Sequence, residues 1–466
     1  MNDASYDLVV VGSGPSGQKA AIQGAKGGAR VLVVESEPNV GGACVHHGTI
    51  PSKALRETAL SLASFRKRSG DVFEVNARED LQVSSLMLRL EAVIRAHERY
   101  IGDQLERNGI EVWHGKARFV SALELEVRKV DGSRRRAAAK NVIIAAGSAP
   151  RAVPGIPIDH EHVLDSDSIL SMRYLPVSLA VLGAGVIACE YASIFAALGV
   201  KVTLIDQGTR PLAFLDPELT NRFVARLSST GGRFIGNAKP KSVAWDGLSE
   251  VVIELAEGET LRAEKMLCAL GRVANLAGLD TEAAGLATTS RGLLEVDANC
   301  QTMVPHVYAV GDVTGPPALA STSMEQGRRA ARHALGLGAA ASNEKIPLGI
   351  YTIPEISSIG LTEDEAVKKH GAAVVGRAPF EELARGQIAA IEDGLLKLVA
   401  DPEGRRVLGV HIVGEGATEL IHVGQMAILA GFEVDAFVEN IFNFPTLAEA
   451  YRVAALDIVK QRPRAE

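Results

Sequence analysis

The feature that most constrains this chain is a strand–turn–helix–strand unit that occurs twice. The first copy, YDLVVVGSGPSGQKAAIQGAKGGARVLVVES, runs an apolar strand (Leu8 to Val11) into Gly12-x-Gly14-x-x-Gly17. It continues through a small-residue helix and ends a second strand (Val31 to Val34) on Glu35. Each residue type has a physical reason. Gly12 permits the tight turn, Gly14 lets backbone N–H groups approach a pyrophosphate, and Gly17 lets the helix pack closely on the strand. The helix N-terminus offers unpaired donors and a partial positive charge to the phosphates. Glu35, 18 residues after Gly17, is placed to accept hydrogen bonds from a ribose diol. A lone glycine motif is a weak signal, but strand, helix, second strand and terminal carboxylate in register are a strong one.

The second copy, SLAVLGAGVIACEYASIFAALGVKVTLIDQ, carries Gly183-x-Gly185-x-x-Ala188 before its helix and Asp206 at the end of its next strand. Alanine at the third position still permits close packing. Two such units about 170 residues apart predict two dinucleotides, one held permanently and one exchanged. Between them, NVIIAAGSAPRAVPGI reads as a buried strand ending in Ala145-Ala146-Gly147, and KMLCALGRVANLAGL repeats that strand–glycine pattern at Gly271. HVYAVGDVTG reads as a strand, Val307 to Val310, ending in Gly311-Asp312. An acidic residue at the carboxyl end of a parallel strand reaches a ligand in the crevice there. From about Ile346 the character changes: IYTIPEISSIG, GLLKLVA and VLGVHIVG read as antiparallel strands, followed by two helices.

A chain of 466 residues is too long for one core and predicts about three domains. The net charge of −7, with no basic run, argues against nucleic acid or an anionic membrane as the main partner. The most apolar long window, roughly Leu179 to Ile205, is interrupted by Glu190 and Lys201, so it reads as a buried strand–helix–strand unit rather than a membrane span. MNDASYDLVVVGSG has no basic region ahead of an apolar run and reads as a strand opening a domain. Four cysteines in a chain this long make no disulfide scaffold, so they are expected to be reduced and the compartment to be the cytoplasm.

The order of these segments, together with GGACVHHGTIPSK, the run Thr302 to Val313, YTIPE and the C-terminal PTLAEA, resembles the FAD-dependent pyridine nucleotide-disulfide oxidoreductases, the dihydrolipoamide dehydrogenase-like flavoproteins. The resemblance spans the whole chain. It implies an α/β fold with two Rossmann-like dinucleotide-binding domains, one for FAD and one for NAD(P), and a C-terminal α+β dimerisation domain. The expected boundaries are 1–150 for the first part of the FAD domain, 151–275 for the NAD(P) domain, 276–345 for the returning FAD segment and 346–466 for the dimerisation domain. It further implies FAD at the first glycine motif and at Gly42, Cys44, Thr49, Gly147, Gly311 and Ala320, with Asp312 on the flavin's ribitol and the Ala117 backbone at the adenine end. NAD(P) is implied at Gly183, Gly185, Ala188, Asp206 and Gly271. Lys53 is implied beside flavin N5, paired with Glu190. That pair also makes chemical sense, since a cation near N5 stabilises added negative charge and a buried lysine needs a partner.

Two departures separate this chain from the disulfide reductases it resembles. Those enzymes carry a second cysteine five residues after the first; here that position is Thr49. A hydroxyl cannot ionise near neutral pH or close a disulfide with Cys44. Their exchange histidine precedes Pro-Thr; here that position is Phe444, followed by Pro445, Thr446 and, four residues after the proline, Glu449. Phenylalanine moves no protons. What remains is a flavin, a nicotinamide site and the Lys53–Glu190 pair. GTIPSKAL, DSDSILS, FLD and FNFPTLAEAYRVAAL fit a branch that passes hydride between NADPH and NAD⁺. A ping-pong course through the flavin lets one nicotinamide pocket serve both nucleotides. Asp206 suits a free ribose 2′-hydroxyl, while Arg210 stands within reach of a 2′-phosphate.

The competing reading is a disulfide reductase or single-cysteine peroxide reductase of the same fold, and a non-catalytic FAD-holding subunit is a third. His46 and His47 lack partners at ligand spacing, so no metal is expected. His422 is read as part of a subunit interface, and Phe444-Pro445 is expected to be a cis bond.

Overall fold

The computed structural model describes residues 4–69, 83–338 and 345–462. The first glycine unit forms strand Ala4–Val11, helix Pro15–Lys26 and strand Val31–Glu35. Val31–Glu35 is buried along its whole length, which the apolar run VLVV allows only where both sheet faces are covered. Its parallel neighbours are Ala4–Val11 on one side and Glu111–His114 on the other. Arg134–Ile144 follows Ala4–Val11 in the sheet, with Val9 opposite Val142 and Val10 opposite Ile143. The returning strand Val307–Ala309 then pairs in parallel with the end of Arg134–Ile144. A segment more than 160 residues downstream thus completes the first sheet (307 − 144 = 163) and delivers Gly311-Asp312 to its carboxyl edge. An antiparallel extension, Lys116–Ser121 and Glu124–Arg128, flanks the other half of the long strand.

The second unit repeats this plan. Ser178–Leu182, helix Val186–Ala197 and Lys201–Ile205 build a five-stranded sheet with Arg233–Ile235, Lys265–Cys268 and Val163–Asp165, all parallel. The apolar window expected to be strand–helix–strand is this unit. Its helix buries nearly every side chain, including Glu190, because it is packed on all sides. A three-stranded meander, Pro240–Trp245, Val251–Leu255 and Thr260–Ala263, covers one end. The short antiparallel pair Ser148–Pro150 with Arg272–Ala274 ties the two units together.

The C-terminal region is a five-stranded antiparallel sheet, in the order Leu348–Ile350, Ile356–Gly360, Val407–Val413, Leu395–Ala400 and Val374–Pro379. Helices Ala417–Ala430 and Glu449–Gln461 pack on it, and Tyr451, fully buried, donates to the Leu420 carbonyl at 2.7 Å. The Phe444-Pro445 bond is cis. Fully buried Ile412, Leu396, Leu398 and Ile458 each contribute on the order of 2 kcal/mol. Among the described residues no helix is long and apolar enough to cross a membrane.

Candidate active site

The two glycine turns have the same geometry. The Gly12 N–H donates to the Val34 carbonyl and that of Gly183 to the Ile205 carbonyl, both at 2.8 Å. Both residues have positive φ, +102° and +99°. A Cβ at Gly12 would sit 2.4 Å from the Ala145 carbonyl oxygen, and one at Gly183 would sit 2.7 Å from that of Ala269. Glycine is needed at both, for conformation and for space. By contrast, Gly14 and Gly185, which open the two helices, have nothing within 4 Å of where a Cβ would be, so their backbones face open space. In each unit the residue after the first glycine donates its N–H to the carboxylate ending the second strand. Ser13 N lies 2.9 Å from Glu35 Oε2, and Ala184 N lies 2.9 Å from Asp206 Oδ2.

Both turns open on one cavity of about 1580 Å³. Of the residues singled out in the sequence, Gly12, Gly14, Glu35, Gly42, Cys44, Thr49, Lys53, Ala117, Gly147, Gly183, Gly185, Glu190, Asp206, Gly271, Gly311, Asp312 and Ala320 line it. Gly17 and Ala188 lie behind the wall. A Cβ at Gly17 would fall 2.0 Å from the Gly12 carbonyl oxygen, and Ala188 is fully buried, so each sets how closely its helix approaches its turn. Arg210 is not among the lining residues; its guanidinium donates to the Ala213 carbonyl at 2.7 Å and to Thr220 Oγ1 at 3.2 Å. Those bonds tie it to the loop leading to helix Pro217–Ser229. His422 lies at the cavity's C-terminal wall, bonded to Gln425.

At the junction of the two units, Lys53 Nζ lies 2.7 Å from Glu190 Oε2 and 4.7 Å from the centre of the Tyr351 ring. The other carboxylate oxygen of Glu190 accepts the Tyr351 N–H at 2.9 Å. Lys53 comes from helix Thr49–Ser69 of the first unit and Glu190 from the helix of the second, so the ion pair joins them. Cys44 is a free cysteine, and its thiol is pushed up by burial, against the lowering effect of a Thr49 hydrogen bond and the Lys53 charge.

Three features escaped the sequence reading. Asp312 accepts the Ser148 hydroxyl at 2.6 Å, and Arg272 donates to Ser148 Oγ at 2.9 Å and to Asp167 at 2.9 Å. This chain of bonds gathers four residues that are far apart in sequence; its only local signal was Arg272 following Gly271. Tyr351 was visible only as part of YTIPE. The Tyr191 hydroxyl is buried, lines the cavity and has no hydrogen-bond partner among the described residues.

Residues 6–327 match the family model described as pyridine nucleotide-disulphide oxidoreductase, and residues 346–455 match its dimerisation domain. The chain belongs to the pyridine nucleotide-disulphide oxidoreductase family. Members of this family are FAD-dependent and use NAD(P), and this member takes FAD as its cofactor and NAD(P) as its nucleotide. The paired glycine turns, with open space at Gly14 and Gly185 and carboxylates at Glu35 and Asp206, fit two dinucleotides. Among its relatives, the soluble pyridine nucleotide transhydrogenase of Mycobacterium bovis (strain BCG / Pasteur 1173P2) is 43% identical over 98% of this chain and 97% of its own. That of Yersinia enterocolitica is 42% identical over 97% of each. Among solved structures, LpdA from Mycobacterium tuberculosis superposes with a TM-score of 0.89 at 26% identity, over 97% of this chain and 99% of its own. The Cu(II) complex of the HOCl-induced flavoprotein disulfide reductase RclA from Escherichia coli gives 0.88 at 26% identity, over 98% of this chain and 99% of its own.

Proposed function

We propose that this oxidoreductase catalyses NADPH + NAD⁺ ⇌ NADP⁺ + NADH, with the two nucleotides using one nicotinamide pocket in turn. Bound FAD supplies the hydride acceptor and donor that spares the two nucleotides from having to meet. Gly12, Gly14, Glu35, Ala117 and Asp312 hold it, and Gly183, Gly185 and Asp206 hold the nicotinamide nucleotide. Both helix N-termini receive pyrophosphate. Lys53 presents a fixed cation at the cavity wall, and Glu190, anchored by the Tyr351 N–H, compensates that charge where water is scarce.

The observation that carries this reading is that Thr49 lines the same cavity wall as the free Cys44, five residues on, in the place where a disulfide reductase needs a second sulfur. A thiol raised by burial, with a hydroxyl residue instead of a second cysteine at that position, is neither an ionised nucleophile nor half of a dithiol. At the far end of the chain, Glu449 accepts the Thr446 N–H at 3.2 Å, and exposed Phe444 offers no base for it to orient. The full-length identity to proteins named soluble pyridine nucleotide transhydrogenase agrees. We place the reaction in the cytoplasm and in a homodimer or larger assembly, built on the apolar surface of the C-terminal region at Met426, Phe432 and Phe444. Supplying the FAD-loaded protein with NADPH and thio-NAD⁺, without any dithiol, tests the proposal. Reduction of thio-NAD⁺ is expected, and its absence refutes it.

A further inference from the structure

Among the described residues, buried side-chain polar atoms without a hydrogen-bond partner occur on Tyr191, Arg226, Thr322 and Arg332, and of these only Tyr191 belongs to the cavity wall. Tyr191 is 3% exposed, and its ring lies in the apolar core with its centre 6.3 Å from that of Phe195. Burial, with the charges of Glu190 and Asp167 adding to it, pushes its hydroxyl far above the ordinary tyrosine range, so it stays neutral. The charged groups that act on it are already engaged elsewhere. Glu190 holds Lys53 at 2.7 Å and the Tyr351 N–H at 2.9 Å, and Arg272 donates to Ser148, Ser166 and Asp167. A hydroxyl buried without a partner costs free energy that a phenylalanine in the same place would not. In a cavity wall, such a group points to a ligand that meets it.

We infer that the Tyr191 hydroxyl bonds the carboxamide of the nicotinamide ring and so positions that ring at the junction of the two units. This inference rests on the nicotinamide nucleotide occupying the second unit, as proposed above. Tyr191 follows Glu190 in helix Val186–Ala197, whose N-terminus at Gly185 receives the pyrophosphate in that reading. Six residues at about 1.5 Å each (191 − 185 = 6) set it roughly 9 Å along the helix from Gly185. The nucleotide's ribose and ring extend from the pyrophosphate towards Lys53 and Glu190, where the two units meet. The carboxamide is the hydrogen-bonding group of that ring, and a phenolic hydroxyl both donates to a carbonyl and accepts from an amide N–H. Packing already fixes the tyrosine ring, so little side-chain freedom is lost when the bond forms.

The test is calorimetric binding of two probes to the FAD-loaded protein and to its Tyr191→Phe variant. ADP-ribose lacks the ring, whereas tetrahydro-NAD, a reduced analogue, keeps the carboxamide and gives up no hydride. The unaltered protein should bind tetrahydro-NAD more tightly than ADP-ribose. In Tyr191→Phe the affinity for tetrahydro-NAD should fall about three- to tenfold, the effect of one neutral hydrogen bond, while that for ADP-ribose moves by less than about twofold. The thermal midpoint without nucleotide should stay level or rise, because the hydroxyl has no partner to lose, and retained flavin absorbance checks folding. Equal binding of the two probes by the unaltered protein, or an equal change for both in the variant, overturns the inference. So does a lowered midpoint without nucleotide, which would give the hydroxyl a role in the protein's own packing. Unchanged affinities with a shifted flavin spectrum would assign the hydroxyl to FAD and overturn it as well. The expected affinities without flavin bleaching by NADH or NADPH would leave the inference standing and overturn the proposed reaction instead.

Discussion

Replacing Lys53 with methionine is the perturbation whose size the structure defines best. At 2.7 Å and an effective dielectric constant of about 20, the attraction between Lys53 and Glu190 is about 6 kcal/mol before desolvation. Most of that offsets the removal of two charges from water, so the pair is a poor source of net stability. Breaking it is another matter. Glu190 is 8% exposed, and without Lys53 its carboxylate keeps, among the described residues, only the Tyr351 N–H. Lys53, 24% exposed, reaches water more easily if Glu190 is lost. Lys53→Met therefore destabilises the protein by about 3 kcal/mol, Glu190→Gln by less, and the double variant by less than the sum. Urea unfolding of the FAD-loaded protein, followed by tryptophan fluorescence, provides the cycle, and a coupling of about 2 kcal/mol is expected. Stopped-flow mixing with NADPH should show hydride uptake slowed on the order of 10²-fold in Lys53→Met, the loss typical of one fixed electrostatic donor. Coupling below about 0.5 kcal/mol, with an unchanged rate, would refute the idea that this pair joins the two units and serves the chemistry.

Other outcomes follow from the same geometry. Gly17→Ala places a Cβ 2.0 Å from the Gly12 carbonyl oxygen and should purify without FAD, as judged by its visible spectrum; a yellow protein would show that the turn yields. Burial opposes ionisation of Glu218, but Arg377 and Lys397 override it and hold its carboxyl at about 2. Because that folded value lies below the usual 4.5, its stabilisation is present above about pH 4.5 and is lost as pH falls towards 2. Acid unfolding of Glu218→Gln should therefore be less steep across that window than that of the parent. Cys44→Ser should retain at least half of the hydride transfer between nucleotides, whereas a fall below a tenth would favour a cysteine-based reductase.

Much of this was legible in the chain itself, because local physics dictates it. Strand, glycine turn, helix and acid follow one another within about 25 residues, so both turns and their carboxylates could be placed from spacing alone. Lys53 and Glu190 were expected to meet because the family resemblance implies the pair and a buried lysine needs a partner. For Arg210 spacing gives reach but not direction: an arginine four residues past Asp206 can turn either way, and here its guanidinium lies on the Ala213 carbonyl and Thr220. The bonds linking Ser148, Asp167, Arg272 and Asp312 depend on four separate strand ends converging, which periodicity in any one segment cannot reveal. The same holds for Lys397, 4% exposed in the C-terminal sheet, which reaches Asp216 at 2.8 Å and Glu363 at 2.7 Å and fastens that sheet to the second unit.

The central claim is that electrons entering this protein leave as hydride to another nicotinamide, with no sulfur pair to receive them. Anaerobic titration of the FAD-loaded protein with NADPH, followed by addition of NAD⁺, tests it most directly. The account predicts uptake of two electrons per flavin and full recovery of the oxidised spectrum on adding NAD⁺. Uptake of four electrons, with two thiols newly titratable, would contradict it.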